Sequence, residues 1–180
     1  MIPQTKWFDR TWEFNFPVGY FPVILERFRG TPARIEELVK SFPAEIITVR
    51  IGEAWSIQEH IGHLYDLSDL DERRLADYLA RAKTLSPADV ENKKTYESNY
   101  NAQALQNILR DFRNSREKIV RKLEGLTEEQ VERRAIHPRL KQSLRLVDWV
   151  YFMAEHDDHH IARMMGNARA LLVLAKKVVG

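Results

Sequence analysis

Two histidines near the carboxyl end of the chain have the spacing of paired metal ligands. His156 and His160 lie four residues apart in the segment AEHDDHHIARM. On a helix, this spacing stacks two side chains on one face, about one turn apart. Neutral imidazole is a ligand that suits zinc, nickel, iron and copper. The pair is therefore predicted to grip one metal ion.

A third histidine, His63, lies far upstream in the segment WSIQEHIGHLYDLSDL. It shares a predicted helical face with Leu67 and Leu70, so its side chain is expected to point into the core. Three imidazoles around a divalent ion leave a fourth position for water or substrate, which is the arrangement of catalytic zinc sites. The predicted ligands are thus His63, His156 and His160, with zinc or nickel as the ion.

Two other histidines compete for these positions. His60 lies one turn before His63, and His159 follows His156 by three residues. A single histidine on an apolar face is more often a hydrogen-bonded core residue than a ligand. The HxxxH pair also lacks the glutamate that makes HExxH typical of zinc proteases. The prediction therefore depends on the combination of all three histidines.

Charged residues flank the predicted ligands. A carboxylate beside a ligand can accept the second imidazole N–H and fix the tautomer that binds metal. Arg163, two turns beyond His156, is placed to meet an anionic substrate group, although a surface position fits it equally well. Asp157 fits a solvent-facing helix charge better than a role beside the ligands. No catalytic group beyond the ligands is predicted; the acidic candidates are Glu59, Asp66, Asp157 and Asp158.

Apolar residues at helical spacing predict two helices in the first half of the chain. Residues 20–42 form the first, with a kink or break near Gly30. Ser56 and Glu59 have the capping-box arrangement that starts a helix, so the second is predicted to run from Ser56 to about Lys83. The run IITVRI at residues 46–51 resembles a strand only in isolation.

Two more helices are predicted in the second half. A long polar connection over residues 86–101 leads to a third helix that ends at Gly125. A short helical turn at residues 127–129 follows, and the last helix runs from Ser143 toward Leu174. Four main helices indicate an all-α four-helix bundle with a long crossover connection. The whole chain, 1–180, is predicted to be one domain, with the aromatic segment 1–19 as an arm packed on it.

Composition limits the classes of function. The chain has no cysteine, which excludes thiolate nucleophiles and sulfur-ligated metal sites. Its 28 basic and 26 acidic residues are interspersed, so nucleic acid is an unexpected partner, and the basic run 113–122 is interpreted as a solvated helix face. No segment has the roughly 18 consecutive apolar residues of a membrane span. A cytoplasmic protein without membrane association is expected.

Three segments resemble the DinB-like (YfiT-like) family of metal-binding four-helix bundles. They are ERFRGTPARIEELV, the WSxxExxxHL pattern in WSIQEHIGHL, and EHDDHH. The last two are specific mainly in combination, at a separation of about ninety residues. Matched residue by residue, the ligands of the family fall on His63, His156 and His160.

The resemblance implies several activities. Members include S-transferases that use bacillithiol or related thiols, a mycothiol-dependent isomerase and proteins described as metal-dependent hydrolases. A metal-dependent enzyme that activates a low-molecular-weight thiol or water for a small-molecule substrate is therefore expected. The alternative is a helical bundle that binds metal or a small ligand without catalysis. Members are commonly homodimers, so a homodimer is expected here.

Overall fold

The computed structural model describes the backbone of residues 2–179 and the side chains through residue 175. The protein consists of four long helical units. The first two units are each divided into consecutive helices, and this arrangement confirms the predicted four-helix bundle with a long connection. The helices are α1 (Phe21–Arg29), α2 (Thr31–Lys40), α3 (Ile57–Asp66), α4 (Ser68–Leu79), α5 (Lys93–Glu97), α6 (Leu105–Glu124), α7 (Glu128–Val131) and α8 (Leu146–Val179).

The boundaries of the first two units follow local signals only in part. The predicted break at Gly30 separates α1 from α2, and Pro32 lies in the first turn of α2, where its missing N–H costs nothing. Ser56 caps α3 through the predicted capping box with Glu59. The prediction of one helix reaching Lys83 is wrong, because α3 ends at Asp66 and α4 already ends at Leu79.

The long connection between α4 and α6 carries structure of its own. It contains the short helix α5 and a 3-10 turn at Tyr100–Ala102. Asn92 and Asn99, which precede these two elements, both have positive φ, a conformation that asparagine tolerates better than most residues. The connection therefore packs back onto α3 instead of forming an extended loop.

A short antiparallel hairpin was missed by the sequence interpretation. Strand β1 (Arg134–Ile136) pairs with β2 (Ser143–Arg145), and Thr84 bridges to Ile136 on the other side. The last helix therefore begins at Leu146 instead of Ser143. Three residues per strand are too few for an alternating pattern to be recognised. The segment 46–51 is not a strand among the described residues, as expected.

The apolar core consists of two clusters along the bundle. Phe28, Tyr78 and Trp149 belong to the first cluster, and Ile35 and Phe112 to the second. Phe16 of the amino-terminal segment packs against the first cluster, and Trp12 of the same segment is buried. Among the described residues, no helix combines the length and apolar character needed to cross a bilayer.

Candidate metal centre

Helix α3 turns His63 into the bundle. The capping box at Ser56 fixes the start of the helix, with the Ser56 backbone N–H donating to Glu59 at 2.8 Å. Gly62 allows the ring of Tyr100 to lie directly against the helix, because a Cβ at this position would overlap that ring. His63 is only 5% exposed, so its ring faces the interior as predicted.

Helix α8 supplies the other two histidines from a facing position. The Nε2 atoms of His156 and His160 lie 3.2 Å apart. The ring centroid of His63 is 5.5 Å from that of His156 and 4.8 Å from that of His160. One nitrogen from each ring lies within 4.8 Å of the other two. Among the described residues, this is the group of histidine or acidic side chains with the spacing of a metal site.

Two hydrogen bonds through Thr95 of α5 fix the tautomer of His63. Thr95 donates its hydroxyl proton to Asp66 at 2.9 Å, and the same hydroxyl oxygen lies 3.2 Å from Nδ1 of His63. Because that oxygen has used its proton, it accepts one from Nδ1 of His63. The lone pair of His63 therefore remains on Nε2. Asp66 reaches the histidine indirectly, through a threonine that sequence reasoning did not single out.

His60 lies behind the cluster instead of within it. Its Nδ1 atom is 2.9 Å from Nδ1 of His160, on the side of that ring opposite His156. A proton on Nδ1 of His160 satisfies this contact and leaves Nε2 free. His60 is thus a hydrogen-bond partner of His160, and the competing assignment of His60 as a ligand has no support in the geometry.

Burial keeps the three clustered histidines uncharged. It lowers the pKa of His63 to about 4 and the pKa values of His156 and His160 well below the usual range. Neighbouring imidazoles add to the effect for the pair on α8. Because neutral imidazole is the form that binds metal, the cluster is ready for an ion near pH 7.

Aromatic side chains wall the cluster on two sides. Trp55, just before the α3 cap, has its ring centroid 4.7 Å from that of His63. Trp7 of the amino-terminal arm lies 4.8 Å from His156 by the same measure. The arm also contacts His159 of α8, whose Nδ1 atom lies 3.0 Å from Nε2 of Gln4. His159 therefore faces the arm and lies outside the cluster.

The charged residues predicted beside the ligands have other contacts. Glu59 binds Arg50 and the Ser56 backbone, so its carboxylate is occupied within the helix cap. Arg163 is exposed and lines the cavity described below. Asp158, the last of the flanking acids, forms ion pairs with Arg27 and Arg34.

The buried position of Asp157 contradicts two predictions, one for Asp157 itself and one for the basic run 113–122. Asp157 is 3% exposed, so its interpretation as a solvent-facing charge is wrong. Its carboxylate accepts hydrogen bonds from Arg116 at 2.5 Å and from Thr31 at 2.7 Å. Arg116 belongs to the basic run 113–122, which is therefore not solvated throughout. Asp157 of α8 therefore links Arg116 of α6 and Thr31 of α2 in the interior. This contact depends on the packing of three helices and has no signal in the sequence.

A cavity of about 720 Å³ opens over the histidine cluster. This volume is typical of sites for small molecules. All three clustered histidines line it, together with the arm residues Gln4 to Phe8. The cavity extends from the cluster to a second group of polar residues, of which sequence analysis singled out Asp157 alone: Asp71, Arg74, Arg116, His137, Arg139 and Asp157.

Within this second group, Asp71 has an unusual proton affinity. Burial raises the pKa of its carboxyl group to about 7, and the negative charge of Asp157 adds to the effect, while Arg116 and Arg74 oppose it. A carboxyl group that titrates near pH 7 is able to give or take a proton in the cavity. No motif marks this residue, since its burial results from helix packing.

Comparisons with known proteins agree with the helical-bundle fold. No curated protein matches the chain. YfiT from Bacillus subtilis, described as a probable metal-dependent hydrolase with an unusual four-helix bundle topology, has a similar structure with a TM-score of 0.74. The two are 17% identical, over 90% of this chain and 93% of that one, which shows a shared fold. The family model of the DinB superfamily matches residues 27–164, well over half of the chain. This chain therefore belongs to the DinB superfamily.

Proposed function

We propose that this protein is a metal-dependent enzyme whose three histidines, His63, His156 and His160, hold one divalent ion, zinc or nickel. The observation that carries the proposal is the convergence of three uncharged imidazoles, from two facing helices, on a cavity large enough for a small molecule. Structural zinc sites usually have four protein ligands, whereas catalytic sites have three and leave one position open. Three histidines on the wall of a cavity fit the catalytic type better.

The residues present fit such an ion. Two nitrogens bound to one zinc ion at about 2.0–2.1 Å in tetrahedral geometry lie about 3.3 Å apart. The Nε2 atoms of His156 and His160 are 3.2 Å apart. The hydrogen bond to Thr95 leaves Nε2 of His63 unprotonated, and a proton on Nδ1 of His160, shared with His60, would leave Nε2 of His160 unprotonated as well. The spacing of the pair on α8 therefore suits one zinc ion, and one nitrogen from each of the three rings lies within 4.8 Å of the other two.

The reaction proposed is attack by water or a low-molecular-weight thiol on an electrophilic small molecule. An ion held by these histidines would lower the pKa of a water or thiol bound to it. Thr95 and His60 hold the ring orientations of two ligands through their hydrogen bonds. Trp7 and Trp55 supply apolar walls beside the histidines, and Asp71 is available to hold a proton elsewhere in the cavity.

Hydrolysis and thiol transfer both remain within this proposal. The description of YfiT as a probable metal-dependent hydrolase supports water as the nucleophile. The cavity of about 720 Å³ lies within the usual size range of small-molecule sites, so its volume allows either nucleophile. Arg163, exposed at the edge of the cavity, is proposed to attract a negatively charged substrate.

Metal content tests the proposal first. Tag-free wild type is compared with His63→Ala, His156→Ala and His160→Ala by inductively coupled plasma mass spectrometry, and His159→Ala serves as a matched control. We expect about one ion per chain in wild type and control, and loss of the ion in the three variants without loss of helical circular dichroism. Equal metal content in wild type and all three variants would overturn the assignment.

Turnover then separates the two nucleophiles. Wild type with its ion is assayed with ester and amide substrates in water, and with thiols plus an electrophilic reporter. Metal-dependent turnover that is absent in His63→Ala supports an enzyme, and the productive arm identifies the nucleophile. A bound ion with no turnover in either arm would favour a binding protein instead.

A further inference from the structure

The loop of the β1–β2 hairpin places two polar hydrogen-bond donors against the cavity wall. His137 is 2% exposed and Arg139 is partly buried, and both line the cavity. The Nε2 atom of His137 and the Nη2 atom of Arg139 are buried without a hydrogen-bond partner among the described residues. Buried polar groups are almost always satisfied, so these two atoms call for a partner that the described residues do not supply.

The tautomer of His137 defines what that ligand must offer. Its Nδ1 atom accepts the backbone N–H of Leu140 at 3.2 Å, so the proton of the neutral ring lies on Nε2. Burial, together with the nearby charges of Arg74 and Arg139, lowers the pKa of this ring to about 3, so the neutral form prevails near pH 7. Nε2 of His137 is therefore a donor, as is Nη2 of Arg139. A ligand that meets both must be an acceptor.

Arg74 adds a third set of donors from α4. It is 5% exposed, and its Nε donates to the backbone carbonyl of Ser86 at 3.0 Å. The Ser86 backbone N–H is itself held by Asp77 at 2.6 Å, which fixes this contact. Among residues 2–175, neither Arg74 nor Arg139 forms an ion pair. Two guanidinium groups in one buried wall repel each other unless an anion lies between them.

We infer that Arg74, His137 and Arg139 form a subsite for the carboxylate group of a small substrate. Both guanidinium groups present forked donors that match a planar carboxylate, and the ring N–H of His137 supplies one more hydrogen bond. The sequence gives little indication of this subsite, because its three residues come from α4 and from a loop more than sixty positions later.

The charge balance favours a carboxylate over a phosphate monoester. Arg74, Arg116 and Arg139 face the same end of the cavity as Asp71 and Asp157. With Asp71 ionised, three positive charges against two carboxylates leave one positive charge in excess, and protonation of Asp71 raises this excess to two. A monoanion neutralises the excess while Asp71 is ionised, whereas a dianion requires Asp71 to hold a proton if buried negative charge is to be avoided.

The subsite and the histidine cluster share aromatic walls. Cζ of Arg139 lies 5.9 Å from the centre of the Trp7 ring, and the centroid of His156 lies 4.8 Å from it. Phe152, one turn before His156 on α8, packs against His137 with centroids 5.1 Å apart. One small molecule can thus contact both ends of the cavity. The role of the subsite in orienting a substrate rests on the proposed metal-dependent function, but binding of the carboxylate itself does not.

Calorimetric titration with benzoate tests the inference, with the neutral benzamide and the dianionic phenyl phosphate as comparisons. The proteins are wild type, Arg139→Gln, Arg139→Lys and His137→Asn. In the last variant the side-chain oxygen retains the contact with Leu140, but the ring Nε2 donor is lost. Arg134→Gln removes a positive charge from an exposed position on the same hairpin and serves as the matched control.

We expect saturable benzoate binding by wild type and Arg134→Gln, at least tenfold weaker binding by Arg139→Gln and His137→Asn, and partial recovery in Arg139→Lys. Benzamide should bind at least tenfold more weakly than benzoate. Equal affinity of benzoate for Arg139→Gln and Arg134→Gln, or equal binding of benzamide and benzoate, would overturn the subsite. Tighter binding of phenyl phosphate than of benzoate would overturn the choice of a carboxylate.

The same titration on His63→Ala separates this inference from the metal proposal. The subsite predicts that benzoate still binds to this variant after its ion is lost. Absence of an ion in wild type alongside intact benzoate binding contradicts only the metal proposal. Retention of the ion in wild type without benzoate binding contradicts only the subsite.

Discussion

Nδ1 of His63 lies 3.2 Å from the hydroxyl oxygen of Thr95, which donates in turn to the buried carboxylate of Asp66. The relay fixes the ring orientation and the tautomer of a proposed ligand. Hydrogen-bond partners of this kind typically contribute 10–100-fold to metal affinity. We therefore predict that Thr95→Val weakens zinc binding by about 10–100-fold, whereas Thr95→Ser, which keeps the hydroxyl, stays close to wild type.

Competition with a chelator of known affinity measures this effect. The two variants are informative together because valine keeps the shape of threonine without its hydroxyl group, whereas serine keeps the hydroxyl group. Equal zinc affinities of the valine and serine variants would show that the hydroxyl does not position His63.

Gly62 and Gly166 should respond in opposite ways to the same substitution. A Cβ at Gly62 would overlap the ring of Tyr100, whereas a Cβ at Gly166 meets no atom within 4 Å. We predict that Gly62→Ala destabilises the fold by about 1–3 kcal/mol through overpacking. Gly166→Ala should stabilise it by about 0.5–1 kcal/mol, since alanine favours the helix interior. Denaturant unfolding monitored by circular dichroism compares them, and a neutral effect at Gly62 would contradict the close packing of Tyr100.

Removal of one partner from the buried pair of Arg116 and Asp157 should cost much stability. Asp157→Asn leaves a guanidinium group that is 4% exposed without its countercharge. The expected loss in the free energy of unfolding is about 3 kcal/mol or more. The adjacent Asp158→Asn alters a partly exposed ion pair with Arg27 and Arg34 and should cost less than about 1 kcal/mol. Equal losses in chemical denaturation would argue against the burial of Asp157.

His137 should make the protein less stable in acid. Its pKa is about 3 in the folded protein against an ordinary value of 6.5, so the unfolded chain binds the proton more readily. Its contribution to stability is complete above pH 6.5 and falls as the pH drops from 6.5 toward 3. The slope is about 1.4 kcal/mol per pH unit for one such group.

Parallel unfolding curves of wild type and His137→Asn between pH 7 and pH 4 isolate this contribution. Asparagine does not titrate, so the stability of the variant should decline less steeply than that of wild type. Parallel decline of the two proteins would show that His137 is protonated as easily in the folded state as in the unfolded chain.

Local signals in the sequence were enough to predict much of the fold. The break at Gly30, the capping box at Ser56 and the end of α6 at Gly125 all depend on contacts within a few residues. The strands β1 and β2 escaped prediction because three residues carry too little periodicity. The division of α3 from α4 at Leu67 has no clear local signal, since no glycine or proline stands there.

The sequence by itself determined which histidines meet. Spacing on a helix and the apolar face around His63 both follow from local geometry, and the structure brings that residue together with His156 and His160. Only the tertiary structure decided what surrounds them. The hydroxyl of Thr95, the buried charge of Asp157 and the donors of Arg74 and His137 come from segments distant in sequence. Their hydrogen bonds and burial depend on how helices and loops pack, and no periodicity along the chain encodes that packing.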